Sequence, residues 1–518
     1  MSLWKEAEIE MIAKIRNYKK YIPYFLFFIT PVFALLLLCI IQRISLFEID
    51  WWNSTWNDEV IYHKIVKMMR EYGYPTGVCS YNEIEPQYPA YGTWIITAYI
   101  PYWLFSFLTG IHTHGFMVIA NVLMVVIANI AFCLLARPKG WQIFFLSMFS
   151  ILSLTYERYV WSGMNEGSIC AMIIVVTGII LRIMRDSEKD FLLLGAASFL
   201  ILFFGISRPF LLAFLLYVWG GVWLSRKNKT SKWIYSGILF FLAIGALLLY
   251  FYLANTHSAK FFHSNGMTYF GELLQKGDIK QIIEWIYQCN IDAVKLILES
   301  CTIKQGIIYV VSGFLIECVL LVILCIKEKE KAKKIFLAAS LIIGLAIYEA
   351  VIILYLPGKM DRMLLVCVVG FAYMICVMAG KKMNIVYLCL QIVCFILLPV
   401  SKEESLPLPV KAEKAVDYGF LQDSLEEVLD FSENDRWDNT VALVPPNVDL
   451  HLLYCFPTHT AFGMCTEDYL KNAIITDSLK SKYIYVEEDS ELNNLCAEKY
   501  LSIWKQEGYV IYEKTYNQ

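Results

Sequence analysis

The sequence predicts an α-helical polytopic membrane protein of about eleven transmembrane helices, with a small extracytoplasmic α/β domain at the C-terminal end. Three observations carry this expectation. Of the 518 residues, 58% are hydrophobic and only 18% charged, whereas a soluble chain is about half apolar and a quarter charged. The apolar residues are gathered into runs long enough to cross a bilayer. Charge is also unevenly placed: residues 401–518 hold ten basic and twenty-two acidic side chains, a net of −12, against −3 for the whole chain.

Taken in order, the first twenty residues carry Lys5, Lys14, Arg16, Lys19 and Lys20, and Ile22–Ile41 follows as the first span. No small-residue cleavage site comes after it, so a retained span is expected and not a cleaved signal peptide. Further apolar runs lie near 116–136, 141–155, 164–181, 191–206, 209–224, 234–254, 306–326, 335–356, 363–379 and 385–400. Tyr91–Leu108 is long enough to cross but is broken by Pro101. Lys/Arg clusters at Arg137–Lys139, Arg182 and Arg185, Arg226–Lys232, Lys327–Lys334 and Lys381–Lys382 settle its reading. If it spans, every cluster falls outside; if it is interfacial or re-entrant, all fall in the cytoplasm with the N-terminus, as the positive-inside rule requires. The second topology places outside the loop 42–115, the connections 156–167, 205–209 and 357–362, the loop 255–305 and the C-terminal region. Trp94, Tyr99, Tyr102 and Trp103 then suit an interfacial position.

Two domains are expected: a transmembrane module over 1–400 and an α/β domain over 401–518. In the latter, β-rich runs at Thr440–Val444, Tyr483–Val486 and Tyr509–Tyr512 alternate with helical stretches around Leu421–Leu429 and Leu492–Gln506. Most of the fifteen cysteines, such as Cys39, Cys133 and Cys389, lie in apolar runs as small core residues. Cys455 and Cys465 are able to pair if their domain faces an oxidising compartment. There is no Walker motif, no GxGxxG at a strand–helix junction and no HExxH. The basic clusters are short loops between spans, which does not suggest a nucleic-acid partner.

The chemistry-bearing residues gather on the outer face. Asp58 and Glu59 open a helical pattern in which Ile61, Ile65, Met68 and Met69 share one face, with Asn57 as N-cap. By themselves the two acids do no more than complement the helix dipole. The segment 156–168 adds Glu157, Arg158 and Glu166, of which Glu157 reads as an interfacial anchor. GISRPF (205–210) adds Arg208 ahead of Pro209, and LPGKMDRML (357–365) adds Lys359, Asp361 and Arg362. Lys359 and Arg362 run against the positive-inside bias, so orientation does not explain them. Acids facing arginines at span ends fit one reaction type: a carboxylate takes a proton from an acceptor, and cations hold a departing phosphate.

With Asp58–Glu59 after the first span, the aromatic segment PQYPAYGTW (86–94), and an acid at the start of the fourth span, the chain resembles the GT-C superfamily of polytopic glycosyltransferases. The protein mannosyltransferase/aminoarabinose transferase branch is the most similar. The resemblance covers roughly residues 20–370 in layout and rests on short motifs. It implies an inverting transfer of a sugar from a polyprenyl-phosphate carrier to an extracytoplasmic acceptor. Asp58, completed by Glu59, matches the first-loop acid; Glu166 matches the second acid; Arg362, with Lys359 and Arg208, takes the carrier phosphate. Two departures stand out: the second acid is Glu in NEG where Arg-Pro-Asp is usual, and Tyr88-Pro89-Ala90 replaces His-Pro-Pro. No cofactor is compelled. Asp58, Glu59 and Glu166 are able to hold a divalent cation, yet no ligand spacing requires one. The alternatives are a lipid-linked polysaccharide polymerase or ligase, which predicts an arginine-rich outer loop, and a transporter or flippase, which predicts midplane charges in repeated halves. Loop 255–305 has no arginine, and the spans hold few charges apart from Glu317 and Glu349.

Overall fold

The computed structural model describes residues 21–49, 57–75, 78–84, 91, 94–111, 115–185, 190–224, 228–257, 265–303, 306–397, 417–429 and 437–514. Each apolar run read from the sequence falls on helix. Among the described residues five helices are long and apolar enough to cross a membrane: Phe116–Ala136, Glu166–Arg185, Lys229–His257, Ile307–Lys327 and Lys331–Tyr355. Two bent pairs, Ile22–Phe28 with Thr30–Ile41 and Pro357–Met363 with Leu365–Met378, bring the number to seven if each pair is one span. Four shorter apolar helices of 10–17 residues accompany them, so length and composition alone support five to seven spans. The exterior explains why the medium is lipid. In Lys229–His257 only 17% of the apolar window is buried, and Phe240, Phe241 and Leu248 are more than half exposed. Water would penalise such a surface heavily, and lipid does not. The chain is an integral membrane protein.

The segment broken by Pro101 contains a 3₁₀ turn, Ile96–Ala98, and a ten-residue helix, Ile100–Thr109, with the proline in its first turn and Gly110 in the left-handed conformation at its end. Ten residues rise about 15 Å, half of the hydrocarbon thickness. Three of the four aromatics expected at a lipid interface turn into the protein instead, and Trp103 is half-buried. Trp94, Tyr99 and Tyr102 are buried, with Trp94 Nε1 donating to Tyr62 at 2.7 Å and Tyr102 donating to Asn121 at 2.7 Å. Polar tips that find protein partners draw the rings inward.

The C-terminal region forms a sheet of strands β1 (Val78–Tyr81), β2 (Thr440–Leu443), β3 (Ala461–Met464), β4 (Tyr483–Glu487), β5 (Leu501–Gln506) and β6 (Tyr509–Glu513), in the order β1-β3-β2-β4-β6-β5. The first four in that order are parallel; β6 and β5 continue as an antiparallel hairpin. β1 comes from the loop after the first span, so this sheet joins segments more than 350 residues apart. The helix expected over Leu492–Gln506 is corrected: Glu491–Ala497 is helical, but Leu501–Gln506 is a strand. Glu507 and Gly508, both with positive φ (52° and 78°), turn the chain tightly back into β6, the geometry that a two-residue hairpin demands.

Alternation along the strands separates two cores. Val441, Leu443, Phe462 and Tyr485 face the cluster continuous with the membrane helices, while Ala442, Val444, Ile484 and Val486 face the helices Glu467–Ile475 and Glu491–Ala497. Cys455 lies in the first cluster and Cys465 in the second, and both are free thiols. Opposite faces of the sheet keep them apart.

This domain is stitched to the first loop. The buried Glu83 carboxylate accepts from Ser481 N (2.7 Å), Ser481 Oγ (2.5 Å), Lys480 N (2.8 Å) and Tyr469 Oη (3.3 Å). Lys64 Nζ donates to Pro457 O at 3.3 Å and lies 4.6 Å above the Phe462 ring. The helix that carries Asp58 is therefore held from the side by the C-terminal sheet.

Candidate active site

Four separate segments converge at one end of the helical bundle. The helix Asn57–Glu71 places Asp58 and Glu59 in its first turn; the Asn57 side chain itself lies outside the described residues. Glu166 is the first residue of Glu166–Arg185, where the partial positive charge of a helix N-terminus favours a carboxylate. Arg208 caps the 3₁₀ helix Pro209–Phe214, whose proline supplies the preset φ. Arg362 lies in the short helix Met360–Met363. A π-helical turn, Val351–Tyr355, leads toward it, and Leu356 has φ 67° and ψ 155° just before Pro357. A leucine at positive φ is strained, and such strain often gathers at functional sites.

Arg362 is the hub. Its Nη1 donates to Asp58 Oδ2 at 2.6 Å, its Nη2 to Tyr62 Oη at 2.7 Å, and its Nε to Glu166 Oε1. Arg208 Nη2 donates to the same Glu166 oxygen at 2.6 Å and also to Asn165 Oδ1. The Arg208 guanidinium lies 4.0 Å from the centre of the Trp94 ring, a cation–π contact in a dry setting. Arg208 and Glu166 are almost fully buried, at 1% and 3% side-chain exposure, whereas Asp58 keeps 30%. That difference separates their abilities: Asp58 can be reached by a second molecule, and Glu166 is occupied by two guanidinium groups. Tyr62 also donates to Asp58 Oδ2 at 3.3 Å. Burial raises its hydroxyl well above the usual phenol range, with the Arg362 charge opposing, so it serves as a neutral donor.

The turn before Glu166 is pinned from two sides. Glu59, buried, accepts from Gly163 N at 2.9 Å. Asn121 donates to Ser162 O and Met164 O, both at 2.7 Å. Gly167 is required here because a Cβ would stand 2.5 Å from Asn121 Cγ.

Of the residues expected from the sequence, Asp58, Glu166, Arg208 and Arg362 meet directly, and Glu59 touches the turn behind them. Lys359 is exposed three residues before Arg362; among the described residues it forms no ion pair with the two acids. Glu157 and Arg158 are not interfacial anchors: both are buried, and Glu157 Oε1 accepts from Ser150 Oγ at 2.8 Å. The turn at Ser153 folds their helix inward. Pro86–Ala90 lie outside the described residues. Tyr62, Trp94, Asn121 and Asn165 were not singled out from the sequence as site residues. Tyr62 is one helical turn from Asp58, and Asn165 precedes Glu166, so spacing holds a faint signal for both.

Asp58 and Glu166 are the site carboxylates best placed to ligate a divalent cation, and Arg362 already bridges them. Among the described residues no group of three or more His, Cys, Asp or Glu side chains could hold a metal.

No protein-family model and no curated sequence matches the chain. Solved structures do. The Archaeoglobus fulgidus oligosaccharyltransferase tethered with an acceptor peptide containing the NVT sequon superposes with a TM-score of 0.51 at 11% identity, over 96% of this chain and 74% of that one. Archaeal AglB from the same organism, in complex with an inhibitory peptide and a dolichol-phosphate, gives 0.50 at 11% identity, over 96% and 75%. ArnT from Cupriavidus metallidurans, bound to undecaprenyl phosphate, covers 94% of this chain and 98% of its own at 10% identity; its TM-score of 0.40 is too low to argue from. At such identities the likeness is one of fold alone: this chain shares the fold of the Archaeoglobus fulgidus oligosaccharyltransferase structures.

Proposed function

We propose that the protein is an inverting glycosyltransferase that moves a sugar from a polyprenyl-phosphate carrier to an extracytoplasmic acceptor. The observation that carries this reading is the bridge from Arg362 to both Asp58 and Glu166, at the end of an apolar bundle with the GT-C fold. The AglB structure of that fold holds a dolichol-phosphate and a peptide, which supports a lipid-phosphate donor and a separate acceptor here.

The partly exposed Asp58 carboxylate takes the proton of the acceptor hydroxyl or amide as that atom attacks the anomeric carbon. The bond from the anomeric carbon to the phosphate oxygen breaks, its electron pair stays on the phosphate, and the configuration inverts. Arg362, with Lys359 at the rim, meets the growing phosphate charge. Arg208 lies deeper and, through Glu166 and Trp94, fixes where Arg362 stands. Glu59 supports the same turn from behind. The carrier's tail lies among the helices while its head reaches the aqueous face; the charge pattern favours Asp58 and the C-terminal domain outside and the N-terminus in the cytoplasm.

Incubating purified protein with a radiolabelled polyprenyl-phosphate sugar and envelope acceptors tests the assignment. Release of polyprenyl phosphate with label on an acceptor supports it. Chain extension of a lipid-linked oligosaccharide would instead indicate a polymerase, and transbilayer movement without bond cleavage would indicate a flippase.

A further inference from the structure

A second site lies within the helical bundle, apart from the four-segment cluster. The segment Phe149–Thr155, which ends one helix and begins the next, and the helices Gly306–Lys327, Leu365–Met378 and Lys381–Leu397 line a groove that is open on one side. The walls are largely apolar, with Val310, Ile316, Leu365 and Phe395 among them. No lysine, arginine or histidine is among the lining residues.

Within this apolar wall stands one acid. Glu317 lies halfway along Gly306–Lys327 and is 1% exposed. Its Oε1 accepts from Tyr387 Oη at 2.5 Å, which fixes the carboxyl orientation. Its Oε2 is buried and has no hydrogen-bond partner among the described residues. Tyr309, eight residues earlier on the same helix, also lines the groove, and its hydroxyl is likewise buried and unpartnered. At 1.5 Å per residue the two groups are about 12 Å apart along the helix axis. A lone buried polar atom costs free energy unless something satisfies it, and an acid at this depth in a membrane protein marks a working site until shown otherwise.

We infer that this groove binds a long-chain alcohol or similar uncharged hydroxyl-bearing lipophile, its hydroxyl on Glu317 Oε2 and its chain running past Tyr309. A hydroxyl both donates and accepts, so it satisfies the carboxyl in either protonation state. A carboxylate or phosphate head would meet an acid with no cation among the lining residues. A plain hydrocarbon would leave Oε2 unpaired. The groove and the site cavity share Leu365, which lines both, so an occupant touches the helix that follows Arg362.

The test uses full-length protein in nanodiscs and a long-chain alcohol bearing a mid-chain diazirine, with crosslinks mapped by mass spectrometry. Crosslinks are expected within 309–317 and 387–395, competed by hexadecanol and not by hexadecane. Glu317→Leu should reduce labelling at least about fivefold, the loss of one buried hydrogen bond. Gly313→Phe should block it without touching Glu317, because a Cβ there meets only Val368 at 3.6 Å. Hexadecane competing as well as hexadecanol, or undiminished labelling of either variant, would overturn the inference, since the groove would then hold ordinary acyl chains. Should Glu317→Leu fail to fold, the competition in the wild-type chain and the Gly313→Phe variant still decide it.

Discussion

The backbone amide of Gly163 donates to Glu59 Oε1 at 2.9 Å, so the acid next to Asp58 holds the turn that carries Asn165 and Glu166. Neighbouring residues of one dipeptide thus do different work. Asp58 faces the opening, and Glu59 faces inward and fixes the far wall of the site.

Glu59 can be tested as a positioning residue by comparing two substitutions. Glu59→Gln keeps an acceptor for Gly163 and should retain transfer within a few-fold. Glu59→Ala leaves a buried amide unpaired, at a cost of about 1–3 kcal/mol, and frees the turn. A loss on the order of 100-fold in kcat is expected, with a smaller change in KM. Equal losses in both variants would instead indicate that the charge of Glu59 takes part directly.

Glu166 accepts from Arg208 and Arg362 on one oxygen. Glu166→Gln should lower both activity and stability, because the buried Arg208 loses its counter-charge and Arg362 keeps only Asp58; breaking a buried pair costs about 3–5 kcal/mol. Thermal unfolding in detergent and sugar transfer should fall together. Arg208→Lys should also weaken transfer, since an ammonium on a flexible stem does not reproduce both the Nη2 contacts to Glu166 and Asn165 and the stack on Trp94.

Gly167→Ala introduces a methyl 2.5 Å from Asn121 Cγ. It should destabilise the protein by about 1–3 kcal/mol, as overpacking does. Asn121→Ala in the same chain should return part of that loss, at the expense of the bonds to Ser162 and Met164 and the one from Tyr102. A double-mutant cycle read by thermal unfolding checks the coupling.

Glu157 predicts a pH dependence. Burial pushes its carboxyl up from 4.5 to about 8, with the Ser150 hydroxyl opposing. The folded state therefore binds this proton more tightly than the unfolded chain does. The stability it contributes is complete below pH 4.5 and is lost progressively as pH rises toward 8. Glu157→Gln, neutral throughout, should remove that decline, worth on the order of a few kcal/mol. Parallel unfolding curves for the two proteins across this range would contradict it.

What the sequence revealed follows a physical division. The apolar runs were legible because a bilayer imposes a length and composition that any single segment displays. The acids and arginines were legible because charge at span ends needs a reason. The uncharged half of the site was not: Tyr62, Trp94 and Asn121 act through hydrogen bonds and stacking that exist only once distant segments meet. Trp94 read as an interfacial aromatic because the same amphipathic ring suits both settings. Strand β1, Val78–Tyr81, was hidden because its partner β3 lies more than 350 residues away. Leu501–Gln506 reads as the end of a helix because Glu507–Gly508, which closes its hairpin, is not among the strongest turn pairs.

The most direct test of the account is the Asp58→Asn variant, assayed for transfer from a polyprenyl-phosphate sugar. Asparagine keeps an oxygen for the Arg362 and Tyr62 contacts but cannot take a proton. Transfer should fall by about 10²–10⁴-fold, while membrane insertion, purification yield and unfolding temperature stay close to those of the wild type. Transfer at the wild-type rate in a well-folded Asp58→Asn protein would contradict the assignment of Asp58 as the base.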